Sequence, residues 1–455
     1  MNSKPTAFTM AQTTRVWWIP LVLTGLTAPL TAQEPAPSNE SVAARIRSGE
    51  TGWERDHLTG NWGGVRDKMV GKGVHLSAAY ALEGFANVDG GIERGAVLAG
   101  LFEVGLDLDP SRFSAWKHAM VHVSMLYPHG SSLSDKVGDL STVSNIDADD
   151  AWKLFEWWLD QRLFRDRVSI RLGQLAADEE FSGSDYASLL LNATFGWPSF
   201  DGINAPAPAF PLAALGARLG VRLHESLLWH AGIYDGDPDP GDSQGRPVNK
   251  HGTRIHLSRE EGAFIISEAI YTLPLKDEAT GRPGTYKLGG WYHTGDFPNL
   301  GVANAEALGW VNDNWGIYMV ADQRVWREPN RADGTLDPDQ GLSLWMRAST
   351  HPGESSLVEH YIDAGFHYRG LLPGRDQDEA GIGVAWLSLS DNARHLADLL
   401  GEPQPDYEIA IEASYFLHLN TWWSLQPDIQ YIIQPGGLGD IPNALVLGLR
   451  TSVIF

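Results

Sequence analysis

The last twelve residues, Ala444-Leu-Val-Leu-Gly-Leu-Arg-Thr-Ser-Val-Ile-Phe455, change character at every second position. Counting back from the end, Phe455, Val453, Thr451, Leu449, Leu447 and Leu445 form a set suited to an oily surrounding. Between them stand Ser452, Arg450 and Gly448, small or charged, while Ile454 and Val446 blur the pattern. A period of two marks a β-strand with unlike faces, because successive side chains leave a strand on opposite sides. With lipid as the oil, Arg450 would point into a wet lumen and Phe455 would end the closing strand of a membrane barrel. The rest of the chain has to agree with that expectation.

A hydrophobic content of 43% is ordinary for a soluble protein. It is equally compatible with a barrel, where only alternate residues meet lipid. The 49 glycines and 18 tryptophans suit tight turns and aromatic girdles at two bilayer interfaces. With no cysteine in 455 residues, disulfides, thiolate metal sites and cysteine nucleophiles are excluded. The formal charge of -23 argues against nucleic-acid binding and fits acidic loops at a cell surface. Lys4 and Arg15, an apolar run from Val16 to Leu30 and then Thr31-Ala32-Gln33 follow the order of a secretory signal peptide over 1–32, cleaved after Ala32. No later apolar stretch approaches the roughly 20 residues of a spanning helix.

Residues 33–72 read as an N-terminal periplasmic segment with a disordered leader (33–40) and a short helix over Gly64 to Val70. From 73 to 455 alternation dominates. In 74–88, Val74, Leu76, Ala78, Tyr80, Leu82 and Val88 share one face against His75, Ser77, Glu83 and Asn87. In 96–109, Leu98, Phe102, Val104, Leu106 and Leu108 oppose Glu103, Asp107 and Asp109. In 407–420, Tyr407, Ile409, Ile411, Tyr415, Leu417 and Leu419 oppose Glu408, Glu412, Ser414, His418 and Asn420. Counted along the chain, such segments predict an all-β transmembrane antiparallel barrel of about sixteen strands, an even number as single-chain bacterial barrels have. A run at 252–258 is assigned to a loop. Long connections (128–150, 178–212, 235–261, 296–313, 391–406) all fall on one side of this count. Short ones (Arg165-Asp166, Glu225-Ser226, Thr421) fall on the other, the division between extracellular loops and periplasmic turns. The turn near 327–339 is longer than that division leads one to expect.

Several stretches now resemble the OprB-type carbohydrate-selective porins of Gram-negative outer membranes. They are His57-Leu-Thr-Gly-Asn-Trp-Gly-Gly-Val-Arg66 with Lys72-Gly73, Arg171-Leu-Gly-Gln174 with Phe181, Gly289-Gly-Trp-Tyr-His-Thr-Gly295, and Gly370-Leu-Leu-Pro-Gly-Arg375 with Asp378. Tyr407-Glu408, Gln426-Pro-Asp-Ile-Gln-Tyr431, Gln434-Pro-Gly-Gly437 and Gly448-Leu-Arg450 complete an ordered set over residues 53 to 455. The resemblance implies a sixteen-stranded barrel in the outer membrane that passes glucose and related sugars by passive diffusion, without catalysis or a cofactor.

The chemistry of such a pore follows from its solute. A neutral sugar offers hydroxyls, which inward Arg, Asp and Glu can meet with donors and acceptors, Arg as a fork of donors. Weak binding at several points suits passage, whereas one tight site would trap the solute. Strand alternation places Arg171, Arg218, Arg222, Arg347, Arg450, Glu83, Glu103, Glu412, Asp428, Gln430 and His224 in the inward register, with Trp157 and Trp197 as surfaces for sugar rings. The alternative role for each inward charge is a lumen ion pair that only shapes the wall. Loop 178–212, with Asp178, Glu179, Glu180, Asp185, Asn192 and Asp201 beside Phe181, Phe195, Trp197 and Phe200, is expected to fold inward as a constriction. The acidic run 235–242 has the look of calcium ligands but lacks the twelfth-position Glu of an EF-hand, so no metal site is assigned. Neither a Gly-x-Ser-x-Gly elbow nor a His-Glu-x-x-His motif occurs, so no enzyme is expected. Expected partners are small sugars, outer-membrane lipid and, through Phe455, the barrel-assembly machinery. A general or cation-leaning porin of the same fold and a secreted soluble β-rich glycan-binding protein or glycosidase stand as the alternative readings.

Overall fold

The computed structural model describes residues 56–241, 246–255, 257–259, 261–274, 282–302, 309–328 and 340–455. The expected signal peptide and leader lie outside them. Sixteen strands are present among the described residues: β1 (Val74–Asp89), β2 (Gly95–Leu108), β3 (Ala119–Gly130), β4 (Lys153–Leu163), β5 (Val168–Leu175), β6 (Ala214–His224), β7 (Leu227–Asp235), β8 (Ala263–Thr272), β9 (Gly284–Pro298), β10 (Trp310–Arg327), β11 (Gly341–Thr350), β12 (Val358–Arg369), β13 (Glu379–Leu389), β14 (Tyr407–His418), β15 (Trp423–Ile433) and β16 (Ala444–Ile454). Each pairs with its sequence neighbours, antiparallel throughout, and β16 returns to β1, so the sheet is a closed barrel without an edge.

The two faces of each strand explain why it sits as it does. On β10, Trp315, Ile317 and Met319 are exposed on the outside, while Asn314, Tyr318, Val320 and Asp322 are buried inside. On β16, Leu447 and Leu449 are exposed outward, whereas Val446 and Arg450 are buried. A one-residue slip would put Arg450 in lipid, so the pattern itself fixes the register. That register seats Glu83 opposite Arg450 across the closing seam.

Helix α1 (Val65–Gly71) precedes β1 at the end where β16 finishes. There the Leu58 amide donates to the Ile454 carbonyl at 2.8 Å and Arg66 Nη2 donates to the Phe455 carbonyl at 2.9 Å. The connections at the opposite end carry helices α2 (Ser134–Val137), α3 (Ser199–Asn204) and α4 (Asp391–Leu400).

What fills the barrel is mostly loop. The β3–β4 and β5–β6 connections turn into the lumen, and their Val137, Val143, Phe181, Leu190, Phe195 and Trp197 pack on inward wall residues such as Phe85, Phe264, Trp345, Leu387 and Val446. Val446, which blurs the terminal alternation, is thus an inward residue covered by loop rather than by water. A barrel of this size without such a plug would hold a wide aqueous channel.

Candidate functional site: the loop-lined lumen

Polar side chains inside the barrel divide by what they touch. One group grips the inward loops. Glu412 accepts from the amides of Leu191 and Asn192, Glu268 from Ser182, Asp322 from Asp185, and Glu408 from Leu140, Ser141 and Gly436. Loop amides buried away from water need such acceptors, since an unmade bond there carries the full desolvation penalty. Arg347 does the converse. It pairs with Asp363 at 2.7 Å and donates to the carbonyls of Thr194, Phe195 and Gly196 at 2.6–3.0 Å. Arg450 pairs with Glu83 at 2.6 Å and donates to Asn145 Oδ1 at 2.7 Å, while Ser144 hydrogen-bonds the other Glu83 oxygen. Gln430 ties both loops to β15, donating to the Val143 carbonyl at 2.9 Å and accepting from Asn192 at 3.0 Å. Its side chain also donates to Asp428 at 3.0 Å.

The second group forms a belt along the wall from β2 to β7. Asp107 and His122 Nδ1 lie 2.7 Å apart, and the His122 ring stacks on Trp158 with centroids 4.9 Å apart. On the β5 side of that indole, the Arg171 guanidinium sits 3.9 Å from the ring centroid, a cation–π contact. Arg171 pairs with Asp160 at 3.3 Å and Glu180 at 2.6 Å. Arg218 shares the same two carboxylates, reaching Asp160 at 3.1 Å. His230 lies 3.9 Å from Glu180. Loop residue Glu180 is therefore locked by two arginines, and desolvation is overcome so that its carboxyl is held below the ordinary range. Unlike the loop anchors, Glu103, Trp158 and Arg171 keep part of their surface open, and Glu179, set among Asp178, Glu156, Glu103 and Arg171, is exposed.

The residues singled out from sequence thus occupy three settings. Arg171, Arg218 and Glu103 lie on or beside the belt; Arg347, Arg450, Glu83, Glu412, Asp428 and Gln430 are buried against the plug; Arg222 and His224 are exposed at the far end of β6. Trp197 is 1% exposed in the plug core, and its indole N–H has no hydrogen-bond partner among the described residues. Trp157 is half-buried and donates to Gln174 at 3.3 Å, on the other face of β4 from Trp158. Asp160, His122 and Trp158 complete the belt and were not picked out by alternation. A bulge explains the last: Val123 faces Trp157 while Met125 faces Leu154, so Phe155 and Glu156 together oppose one residue of β3 and the inward parity of β4 flips. Gly173 in the Arg171 motif also has a backbone reason. Its φ is 149°, and a Cβ there would lie 2.1 Å from the Trp157 carbonyl oxygen. In the acidic run after β7, Asp237 and Asp239 accept backbone amides of their own loop, which is turn chemistry.

Two buried carboxyls of the plug, Asp139 and Asp147, are expected to make the β3–β4 connection sensitive to pH. Asp139, in the β3–β4 connection, is 4% exposed, and neither carboxyl oxygen has a partner in hydrogen-bonding geometry. Burial, and then the neighbouring Glu408 carboxylate, push it up to about 8, against a weaker pull from the Ser134 hydroxyl. Asp147, farther along, is raised to about 7, again chiefly by burial. A carboxyl raised in the folded state stabilises that state below its unfolded value and loses the contribution as pH climbs through the folded one. The docked loop is therefore expected to loosen between about pH 4 and pH 8. Amide exchange over residues 133–147 should be faster at pH 9 than at pH 6 after correction for intrinsic rates, and Asp139→Asn should reduce that difference, leaving the part due to Asp147. Equal protection at both pH values would count against it.

Residues 93–455 match the family described as carbohydrate-selective porin, OprB family. Porin B of Pseudomonas aeruginosa is 24% identical over 432 residues, covering 88% of this chain and 91% of that protein. Among solved structures, the high-pH structure of Pseudomonas putida OprB superposes with a TM-score of 0.80 at 24% identity, covering 89% of this chain and all of that one. The low-pH structure of the same protein gives 0.56 at 19% identity, with 88% and 99% covered.

Proposed function

This chain belongs to the carbohydrate-selective porin, OprB family, and from that premise we propose that glucose-sized neutral sugars cross its outer-membrane barrel along the Glu103–His122–Trp158–Arg171–Glu179 wall. The observation that carries the reading is the exposure of Glu179 and the partial exposure of Glu103, Trp158 and Arg171, where the plug anchors Glu83, Arg347, Glu412 and Arg450 are buried. Arg171 is held on one side by Asp160 and Glu180 and by the Trp158 ring, so its guanidinium is fixed before a solute arrives. Fixed donors lose little entropy on meeting hydroxyls. Glu103 and Glu179 supply acceptors at the same level, and the indole edge of Trp158 adds apolar surface for C–H groups. Each contact is worth about 1 kcal/mol net, enough to favour a sugar over a similar-sized solute without trapping it. The buried arginines and carboxylates act by holding the plug. Export with removal of residues 1–32 belongs to the same reading, and the mass of the mature protein tests it.

Liposome swelling with glucose and with a similar-sized diol decides the question. Wild type is expected to pass glucose faster, and Arg171→Ala to cut that preference by about fivefold, one hydrogen bond's worth. A preference unchanged in both Arg171→Ala and Trp158→Ala would overturn the proposal. A second reading, a cation-leaning pore, is favoured by one observation: Arg171 and Arg218 are each paired with two carboxylates, while Glu179 is exposed. Reversal potentials in a salt gradient, with and without glucose, separate ion preference from sugar preference.

A further inference from the structure

Around the periplasmic end of β1 to β5, exposed cations and aromatics gather on one arc of the barrel. Segments 65–72, 109–118 and 164–167 carry seven basic residues against three acidic ones, in a chain of formal charge -23. Lys68, Lys72, Arg112, Lys117, Arg165 and Arg167 are all exposed. Interleaved with them are four exposed aromatics, Trp62, Phe113, Trp116 and Phe164, the last 75% exposed.

These segments are tied into one surface. The Asp109 amide donates to the Gly73 carbonyl at 2.7 Å, joining the β2–β3 turn to α1. Trp116 Nε1 donates to Gln161 at 2.6 Å, and the Gln161 amide returns to the carbonyls of Lys117 and His118, joining that turn to the end of β4. The β4–β5 turn then places Phe164, Arg165 and Asp166 at φ of 54°, 58° and 61°, three successive non-glycine residues in the left-handed region. Such a run is unfavourable for residues bearing a Cβ. Here it turns an aromatic and a cation outward rather than into packing.

Exposed aromatics alternating with cations at the end of a lipid-facing barrel wall have a chemical counterpart. Aromatic rings settle at the level of lipid headgroups, and each Lys or Arg near an anionic membrane surface is attracted to it. We propose that this rim docks anionic glycerophospholipid headgroups of the leaflet on the turn side of the barrel, giving the porin a shell enriched in such lipids over one arc of its circumference. Its residues are exposed on the turns at the barrel end and none of them lines the proposed sugar path, so the proposal is independent of which solute passes.

The test uses the full-length porin reconstituted in phosphatidylcholine vesicles with trace spin-labelled phosphatidylglycerol or phosphatidylcholine. Wild type at low salt is expected to enrich the motionally restricted shell in phosphatidylglycerol about fivefold over phosphatidylcholine, the scale set by a single cation at the surface. Raising salt to about 1 M, where charges are screened beyond about 3 Å, should abolish the preference. The Lys68→Gln/Lys72→Gln/Arg112→Gln/Lys117→Gln variant should lose most of it while keeping wild-type conductance and heat-modifiable migration, which report an intact barrel. A Phe164→Ser variant should keep the charge preference but reduce quenching of interfacial tryptophans by headgroup-labelled lipid. Equal restriction of both labels by wild type would overturn the proposal, as would enrichment that survives in the four-residue variant. Sedimentation of wild type with anionic cell-wall polymer, without lipid enrichment, would likewise replace lipid with another partner.

Discussion

Replacing Arg347 with methionine is expected to destabilise the folded barrel by about 3–5 kcal/mol and to raise its open-channel conductance. The side chain is 1% exposed and bonded at every reachable donor: Asp363 takes part of the guanidinium, and three successive plug carbonyls take the rest. Methionine conserves much of the volume but leaves Asp363 buried without its cation, although Trp345 and Tyr361 still donate to that carboxylate. The carbonyls of Thr194, Phe195 and Gly196 lose their donors at the same time. Because the penalty falls on the loop as well as the wall, the plug is the part expected to yield. Conductance in planar bilayers and the temperature at which heat-modifiable migration is lost read the two effects separately. A variant with wild-type values in both would mean that Arg347 does not anchor the plug.

A comparable effect is expected at the closing seam. Arg450→Leu strands Glu83, 1% exposed, with the Ser144 hydroxyl as its remaining hydrogen-bond partner among the described residues, and should cost about 3–5 kcal/mol. The double variant Glu83→Leu/Arg450→Leu removes both charges and should recover most of the loss, because apolar replacement of a buried ion pair is often close to neutral. The two residues face each other between the first and last strands, so the cycle also reports how strongly that pair fixes barrel closure. If the double variant were as unstable as Arg450→Leu, the loss would come from the contact with Asn145 and not from the stranded carboxylate.

The wall of this protein was legible because lipid is an unforgiving solvent: outward positions in the bilayer are held apolar, so period two survives along the strands except where a bulge interrupts it. The strand segments 74–88, 96–109 and 407–420 read from sequence lie within about two residues of those in the structure, the terminal strand pairs with the first as expected, and the long connections share one end. The expected helix over Gly64 to Val70 is Val65–Gly71. Connection lengths sort less sharply than alternation: the β2–β3 turn spans ten residues on the short side, while β1–β2 spans five on the long side.

The lumen was legible only as a register. Alternation says that Arg171 and Arg347 both point inward; it does not say that residues 194–196, some 150 positions away in the chain, arrive to occupy Arg347. That pairing depends on where a long loop lands, and nothing in local patterning encodes it. Trp158 was obscured for a different reason. The bulge at Phe155 and Glu156 inserts a residue into β4 and exchanges the faces beyond it, so counting by twos leads to Trp157. Asp139 carries no sequence signal either, since an aspartate in a loop reads as solvated until the loop is found inside a barrel.

In the proposed pathway sugar travels past the Arg171–Trp158 wall and not merely through a wide opening. Single-channel current in a planar bilayer, recorded while glucose is titrated, tests it most directly. Wild type should show sugar-dependent interruptions of the ion current that saturate with glucose. Arg171→Ala should keep the current but need about fivefold more glucose for the same interruption, as expected for loss of one hydrogen bond. Currents that glucose leaves unchanged in wild type, or that it interrupts identically in both proteins, would contradict the account.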